Sequence, residues 1–111
     1  MAIDPSGFSI SVTEQGGRAV VTIAGELDLA TAPDLEEVVL GRVDSGESVV
    51  LDLRGLQFMD SSGLRVLIAA HRRASEGAGE FAIVRPAPGG EVEKILGIAG
   101  VEQQLQIVDE L

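Results

Sequence analysis

Val49-Val50-Leu51-Asp52-Leu53 is almost unbroken in β-branched and aliphatic residues, and Asp60-Ser61-Ser62-Gly63 shortly afterwards opens an amphipathic helical pattern. A continuous apolar strand must be covered on both faces or flanked by parallel neighbours, so this one belongs in the middle of a sheet. Its hand-off to a helix points to an α/β domain. The loop expected between them ends in Asp-Ser-Ser-Gly, which sets a hydroxyl at a helix N-terminus. Backbone N–H groups there lack intrahelical partners and the helix dipole is positive, so a phosphate or carboxylate is electrostatically welcome. Two readings of these residues stay open: Asp60 or Ser61 merely caps the helix, or Ser61 carries a charged modification.

The flanking sequence extends the same pattern. Ser9 to Val12 and Ala19 to Ala24 read as a hairpin joined by Glu14-Gln15-Gly16-Gly17. Thr31 is placed to cap a first helix, with Pro33 in its first turn, Asp34, Glu36 and Glu37 at its positive end, and Leu35, Val38 and Val39 on its buried face. A second helix runs from about Ser62 to Glu76, with Leu64, Leu67, Ile68 and His71 in one stripe and Gly77-Ala78-Gly79 as its stop. Phe81 to Val84 is a short strand, and Pro86 to Gly90 cannot continue it. Val92, Ile95, Leu96 and Ala99 mark a third helix ended by Gly100, before a last strand near Leu105 to Val108. The expected fold is a single α/β domain over residues 1–111, with a mixed, mostly parallel sheet of about five strands and helices packed against it. Parallel strands from Ala19, Val49 and Phe81 bring Asp28, Asp60-Ser61 and Pro86 to one edge of the sheet, where ligands and partners of such sheets bind.

Composition removes several functions. With no cysteine and one histidine, thiol chemistry and thiolate zinc sites are absent options. Ser61 and Ser62 lack a base: His71 lies on the same helix, roughly 13–15 Å away at the helical rise per residue. Asp60-Ser61-Ser62-Gly63 has neither the glycines nor the lysine of a nucleotide-binding loop, and the only lysine, Lys94, falls on another helix. Asp28, Asp52 and Asp60 could form a magnesium site or simply brace loops, and no spacing is diagnostic. Arg65 and Arg72, seven apart on one helix, read as a solvated face or as part of a partner interface. The chain is expected to be neither an enzyme nor a cofactor binder. A net charge of −10 disfavours nucleic acid and anionic membrane surfaces and suits a protein partner with a basic patch. No apolar run approaches a membrane span and Met1-Ala2-Ile3-Asp4-Pro5 lacks a basic signal start, so a cytoplasmic location is expected.

Gly25-Glu26-Leu27-Asp28 with Thr31-Ala32, Val50-Leu51-Asp52-Leu53, and Phe58-Met59-Asp60-Ser61-Ser62-Gly63-Leu64 together resemble the bacterial anti-sigma factor antagonists of the STAS domain family over nearly the whole chain. The resemblance implies a small STAS-like α/β fold and partner switching. The unphosphorylated antagonist binds an anti-sigma factor that is also an ATP-dependent serine kinase, which frees a sigma factor; phosphorylation by that kinase ends the interaction and a phosphatase restores it. The family's phosphoacceptor maps onto Ser61 and its unmodified neighbour onto Ser62. Asp28, Asp60, Ser61, Ser62, Gly63 and Arg65 are the expected partner-binding residues. Family members commonly continue into a further helix after the last strand, whereas only Asp109, Glu110 and Leu111 follow here. The alternative is a STAS subunit of a stress-signalling or transport ATPase assembly that does not switch.

Overall fold

The computed structural model describes residues 2–3, 7–77 and 79–111. Ala78 of the expected helix stop and Met1, Asp4 and Pro5 of the amino-terminal reading lie outside them. The chain runs β1 (Ala2–Ile3), β2 (Ser9–Gln15), β3 (Arg18–Leu27), α1 (Ala32–Asp44), β4 (Ser48–Met59), α2 (Ser61–Glu76), β5 (Glu80–Val84), α3 (Glu91–Ala99), a 3₁₀ turn (Val101–Gln103) and β6 (Ile107–Val108). The sheet keeps this order, β1-β2-β3-β4-β5-β6. The first two pairings are antiparallel and the remaining three parallel. The expected five strands thus gain a two-residue sixth at the amino-terminal edge, while the last strand shrinks to Ile107–Val108 and Leu105 is buried ahead of it.

The hairpin forms where Gly16 and Gly17 follow Glu14-Gln15, both glycines at positive φ, as a tight turn between right-twisted strands requires. Val21, Ile23, Leu27, Leu51, Leu53 and Ile83 are fully buried in the core, together with Leu35 and Val39 of α1 and Leu67 of α2. Val92 and Leu96 hold α3 in place, with Ile95 half-buried; Ala99, expected in the same stripe, is exposed. Gly100 adopts the left-handed conformation that ends α3.

The main difference from the sequence reading lies in β4. It does not end at Leu53 but continues to Met59, so the expected loop over 54–59 is strand. Against β3, two extra residues enter β4: Thr22 pairs with Asp52 but Ala24 with Gly55, and Gly25 pairs with Leu56 but Glu26 with Phe58. Each is a bulge, which shifts which side chains face inward and increases local twist. Buried positions therefore fall at Leu53, Leu56 and Met59, at intervals of three rather than two. Asp52, expected near a strand end, sits mid-strand and only 5% exposed. Its carboxylate accepts from the Arg54 backbone N–H at 3.0 Å and from the Arg54 guanidinium at 3.0 and 2.8 Å, bracing the first bulge.

Candidate functional site

The elongated β4 is what brings the candidate residues together. Glu26 pairs with Phe58 and Leu27 with Met59, so β3 and β4 end side by side, and the Asp60 N–H donates to the Leu27 carbonyl at 3.2 Å. Asp28 and Asp60 consequently leave the sheet as neighbours at one edge, as expected. Pro86 does not join them. Val84, the last residue of β5, pairs with Asp52, far short of the end of β4, and Pro86 is buried. The vacated flank is taken by α3 instead.

A single residue separates β4 from α2. Asp60, extended at φ −106° and ψ −169°, is the helix cap: its carboxylate accepts from the Ser62 N–H at 2.8 Å and the Gly63 N–H at 3.4 Å. The capping alternative is thereby assigned to Asp60 and not to Ser61. Ser61 is the first helical residue, one earlier than expected, and is exposed, and its hydroxyl has no hydrogen-bond partner among the described residues. Ser62 is half-buried. Gly63 is buried, and a Cβ there would come within 2.7 Å of Leu27 and Met59 side-chain carbons, so this glycine lets α2 sit close on the ends of β3 and β4. Gly63, expected among the partner-binding residues, is thus packed inward. Arg65 is exposed one turn further along α2.

The loop into α1 is built differently. Thr31 occupies the cap position, but its side chain makes no capping hydrogen bond. The hydroxyl donates to the Glu26 carbonyl at 2.9 Å and accepts from the Asp28 N–H at 2.9 Å, and the residue is 0% exposed. Among the described residues no side chain caps α1; the Asp28 carboxylate instead closes the loop ahead of the helix, accepting from the Ala30 and Thr31 N–H groups at 3.0 and 3.2 Å. Asp28 therefore braces its own loop, one of the roles expected of it. What the loop presents outward is Leu29, 78% exposed.

Beside Ser61 lies an open groove of about 320 Å³ between the end of β4 and α3, lined by Phe58, Ser61, Glu91, Lys94, Ile95 and Ile98 among others. Phe58 is 39% and Ile98 76% exposed. The sequence reading assigned none of Leu29, Phe58, Lys94 or Ile98 to the site. Ile98 carried a signal, since it lies off the apolar stripe of α3; the approach of α3 to Ser61 is a tertiary fact without one.

Other chemistry finds no assembly here. The carboxylates of Asp28, Asp52 and Asp60 are engaged in the separate hydrogen bonds described above, and among the described residues no three His, Asp or Glu side chains group as metal ligands. His71 lies away from the serines, beside Ala74, Gly79 and Phe81 at the start of β5. The Arg54 hydrogen bonds hold the Asp52 carboxyl below the usual carboxylate range, against an opposing contribution from burial. No helix among the described residues is long and apolar enough to cross a membrane.

The STAS domain family model matches residues 9–111. The chain belongs to the STAS domain family. It is 30% identical over 109 residues to the anti-sigma-F factor antagonist RsfB of Mycobacterium tuberculosis, covering 96% of this chain and 86% of that one. It is 32% identical over 106 residues to an anti-sigma F factor antagonist of Paenibacillus polymyxa, covering 92% and 87%. A crystal structure of an anti-sigma factor antagonist from Mycobacterium paratuberculosis superposes with a TM-score of 0.83 at 26% identity, over 99% of this chain and 92% of that one. In this STAS domain the strand-to-helix turn at Asp60-Ser61 and the loop at Asp28-Leu29 form one continuous edge.

Proposed function

We propose that this STAS domain is an anti-sigma factor antagonist whose unphosphorylated form binds a serine-kinase anti-sigma factor, and whose phosphorylation on Ser61 ends that binding. The observation that carries the proposal is the division of labour at α2: Asp60 caps the helix, which leaves the exposed Ser61 hydroxyl free to accept a phosphoryl group without dismantling the helix start. The antagonist relatives in Mycobacterium tuberculosis and Paenibacillus polymyxa support the same reading.

In this reading the partner supplies ATP and catalysis. The serine oxygen forms a bond to the γ-phosphorus as the bond to ADP breaks, and the hydroxyl proton leaves to a base on the kinase. The docking surface comprises Asp28, Asp60, Ser61, Ser62 and Arg65, with the exposed Leu29 and Phe58 as its apolar contacts. Phosphate adds about −1.5 to −2 charges at that surface, so desolvating it in a complex costs far more than carrying it in the free protein. A phosphatase resets the switch.

The test is incubation with ATP and a serine-kinase anti-sigma factor, followed by intact-mass measurement and peptide mapping, with calorimetric titration of each form against the kinase. One phosphate on Ser61 and loss of binding are expected. Ser61→Ala should take up no phosphate and keep binding, and Ser61→Asp should bind more weakly than Ser61→Ala. Phosphate on Ser62, or equal binding by both forms, overturns the proposal; a complex without any phosphate transfer instead favours a STAS subunit that does not switch.

A further inference from the structure

The groove beside Ser61 contains a cation to which the switch assigns no role. Lys94, the only lysine of the chain, lines it from α3, opposite Ser61 at the start of α2. Lys94 is exposed and forms no ion pair with any described residue. Of the arginines, Arg42, Arg54, Arg73 and Arg85 are each engaged with a carboxylate, and none lines the groove. In a chain of net charge −10, a lone cation facing a serine across an open cavity is a specific arrangement.

We propose that Lys94 is the counter-charge for phosphate on Ser61, holding it across the groove between α2 and α3. This rests on the reading of Ser61 as the phosphoacceptor. The charged groups around that phosphate are Asp60 and Arg65 from its own turn and helix, Glu91 and Lys94 from α3, and Asp28 from the neighbouring loop. Asp60 and Glu91 oppose the added charge. Arg65, four residues on, leans back along the helix toward Ser61 but does not line the groove. Lys94 is the cation that does, and its flexible ammonium fits a phosphate as a point charge.

Two consequences follow. The phosphate is drawn over the groove and toward α3, so phosphorylation masks Phe58 and Ile98 as well as charging the turn. Lys94 also lowers the second ionisation of the phosphate, which keeps the phosphorylated form dianionic further below neutral pH. The apolar rim and the charge then change together.

The experiment installs phosphoserine at position 61 by genetic encoding, so that its outcome does not depend on which serine a kinase selects. The second phosphate pKa is read by phosphorus NMR titration in low salt, in the otherwise unaltered chain and in Lys94→Gln, Lys94→Arg, Glu91→Gln and Arg65→Gln. Lys94→Gln should raise that pKa by about 0.2–0.7 unit, the range of an exposed ion pair. Lys94→Arg should restore it, and Glu91→Gln should shift it the opposite way. Because Lys94 is exposed, the melting temperatures of the unphosphorylated variants should coincide. An unchanged phosphate pKa in Lys94→Gln overturns the proposal, and if Arg65→Gln alone raises it the counter-charge belongs to α2. A failure of kinase labelling at Ser61, by contrast, strikes the parent reading and leaves this titration intact.

Discussion

The two strand-to-helix turns at the sheet edge solve the same problem with opposite economies. After β3 the chain takes Asp28 to Thr31 to enter α1, and the Asp28 carboxylate and Thr31 hydroxyl are both consumed by that loop. After β4 a single residue suffices: Asp60 does the side-chain capping, and the next hydroxyl is exposed and has no partner among the described residues. Two polar side chains are structural in the first turn and one in the second. A hydroxyl free of structural duty can change chemically without cost to the fold, and one bonded at both ends cannot. The comparison therefore distinguishes Thr31 from Ser61, although both are hydroxyl residues beside an aspartate-bearing turn.

The sharpest way to break the comparison is Thr31→Val, which preserves shape and removes the hydroxyl. It leaves the Asp28 N–H and the Glu26 carbonyl without their buried partner, at a cost of about 2–3 kcal/mol. Urea denaturation should show a lower midpoint with an unchanged slope. A loss below about 0.5 kcal/mol would mean that water replaces the hydroxyl and that the first turn is no more committed than the second.

Asp60→Ala tests the cap of the second turn, removing the acceptor of the part-buried Ser62 and Gly63 N–H groups, and should cost about 0.5–2 kcal/mol. Thermal melting of the isolated domain measures it. If Asp60→Ala proves neutral while Ser61→Ala destabilises, the capping role has been assigned to the wrong residue.

These roles were unequally legible in the sequence. The Asp60-Ser61-Ser62-Gly63 turn was readable because capping depends on residues a few positions apart. Assigning the cap to Thr31 failed because a threonine there has competing backbone partners, and the Glu26 carbonyl and Asp28 N–H won. The second half of β4 was hidden for another reason: the two bulges place buried side chains at Leu53, Leu56 and Met59, a period of neither strand nor helix. Pro86 lies away from the Asp28–Asp60 edge because parallel strands need not end level: β5 stops opposite Asp52. The groove was beyond reach altogether, since it depends on how α3 packs over the end of β4.

The Asp52–Arg54 brace supplies a smaller, pH-dependent effect. Its hydrogen bonds to Arg54 depress the folded-state pKa of Asp52 below the unfolded value, so the stabilisation is present above the ordinary carboxylate pKa and is lost as pH falls through the folded one. With the ordinary value at 3.8, wild type and Asp52→Asn should differ in stability at pH 6 and converge progressively below about pH 4. Urea midpoints measured across that range check the sign. A gap that widens on acidification would mean that burial, which raises the pKa, outweighs the Arg54 hydrogen bonds.

The smallest stability effect is expected at Ser61, and it decides the comparison. Ser61→Ala removes an exposed hydroxyl with no partner among the described residues, adds no charge, and places a strong helix former at the first helical position. The stability should change by less than about 0.5 kcal/mol in either direction. Thr31→Val and Ser61→Ala each delete one hydroxyl, so measuring both in the same urea series removes differences in method. A large loss at Ser61 would show a structural duty there, and phosphorylation would then act by loosening the start of α2 as well as by charging the surface. A negligible loss beside a substantial one at Thr31 leaves the added charge itself as the agent of switching.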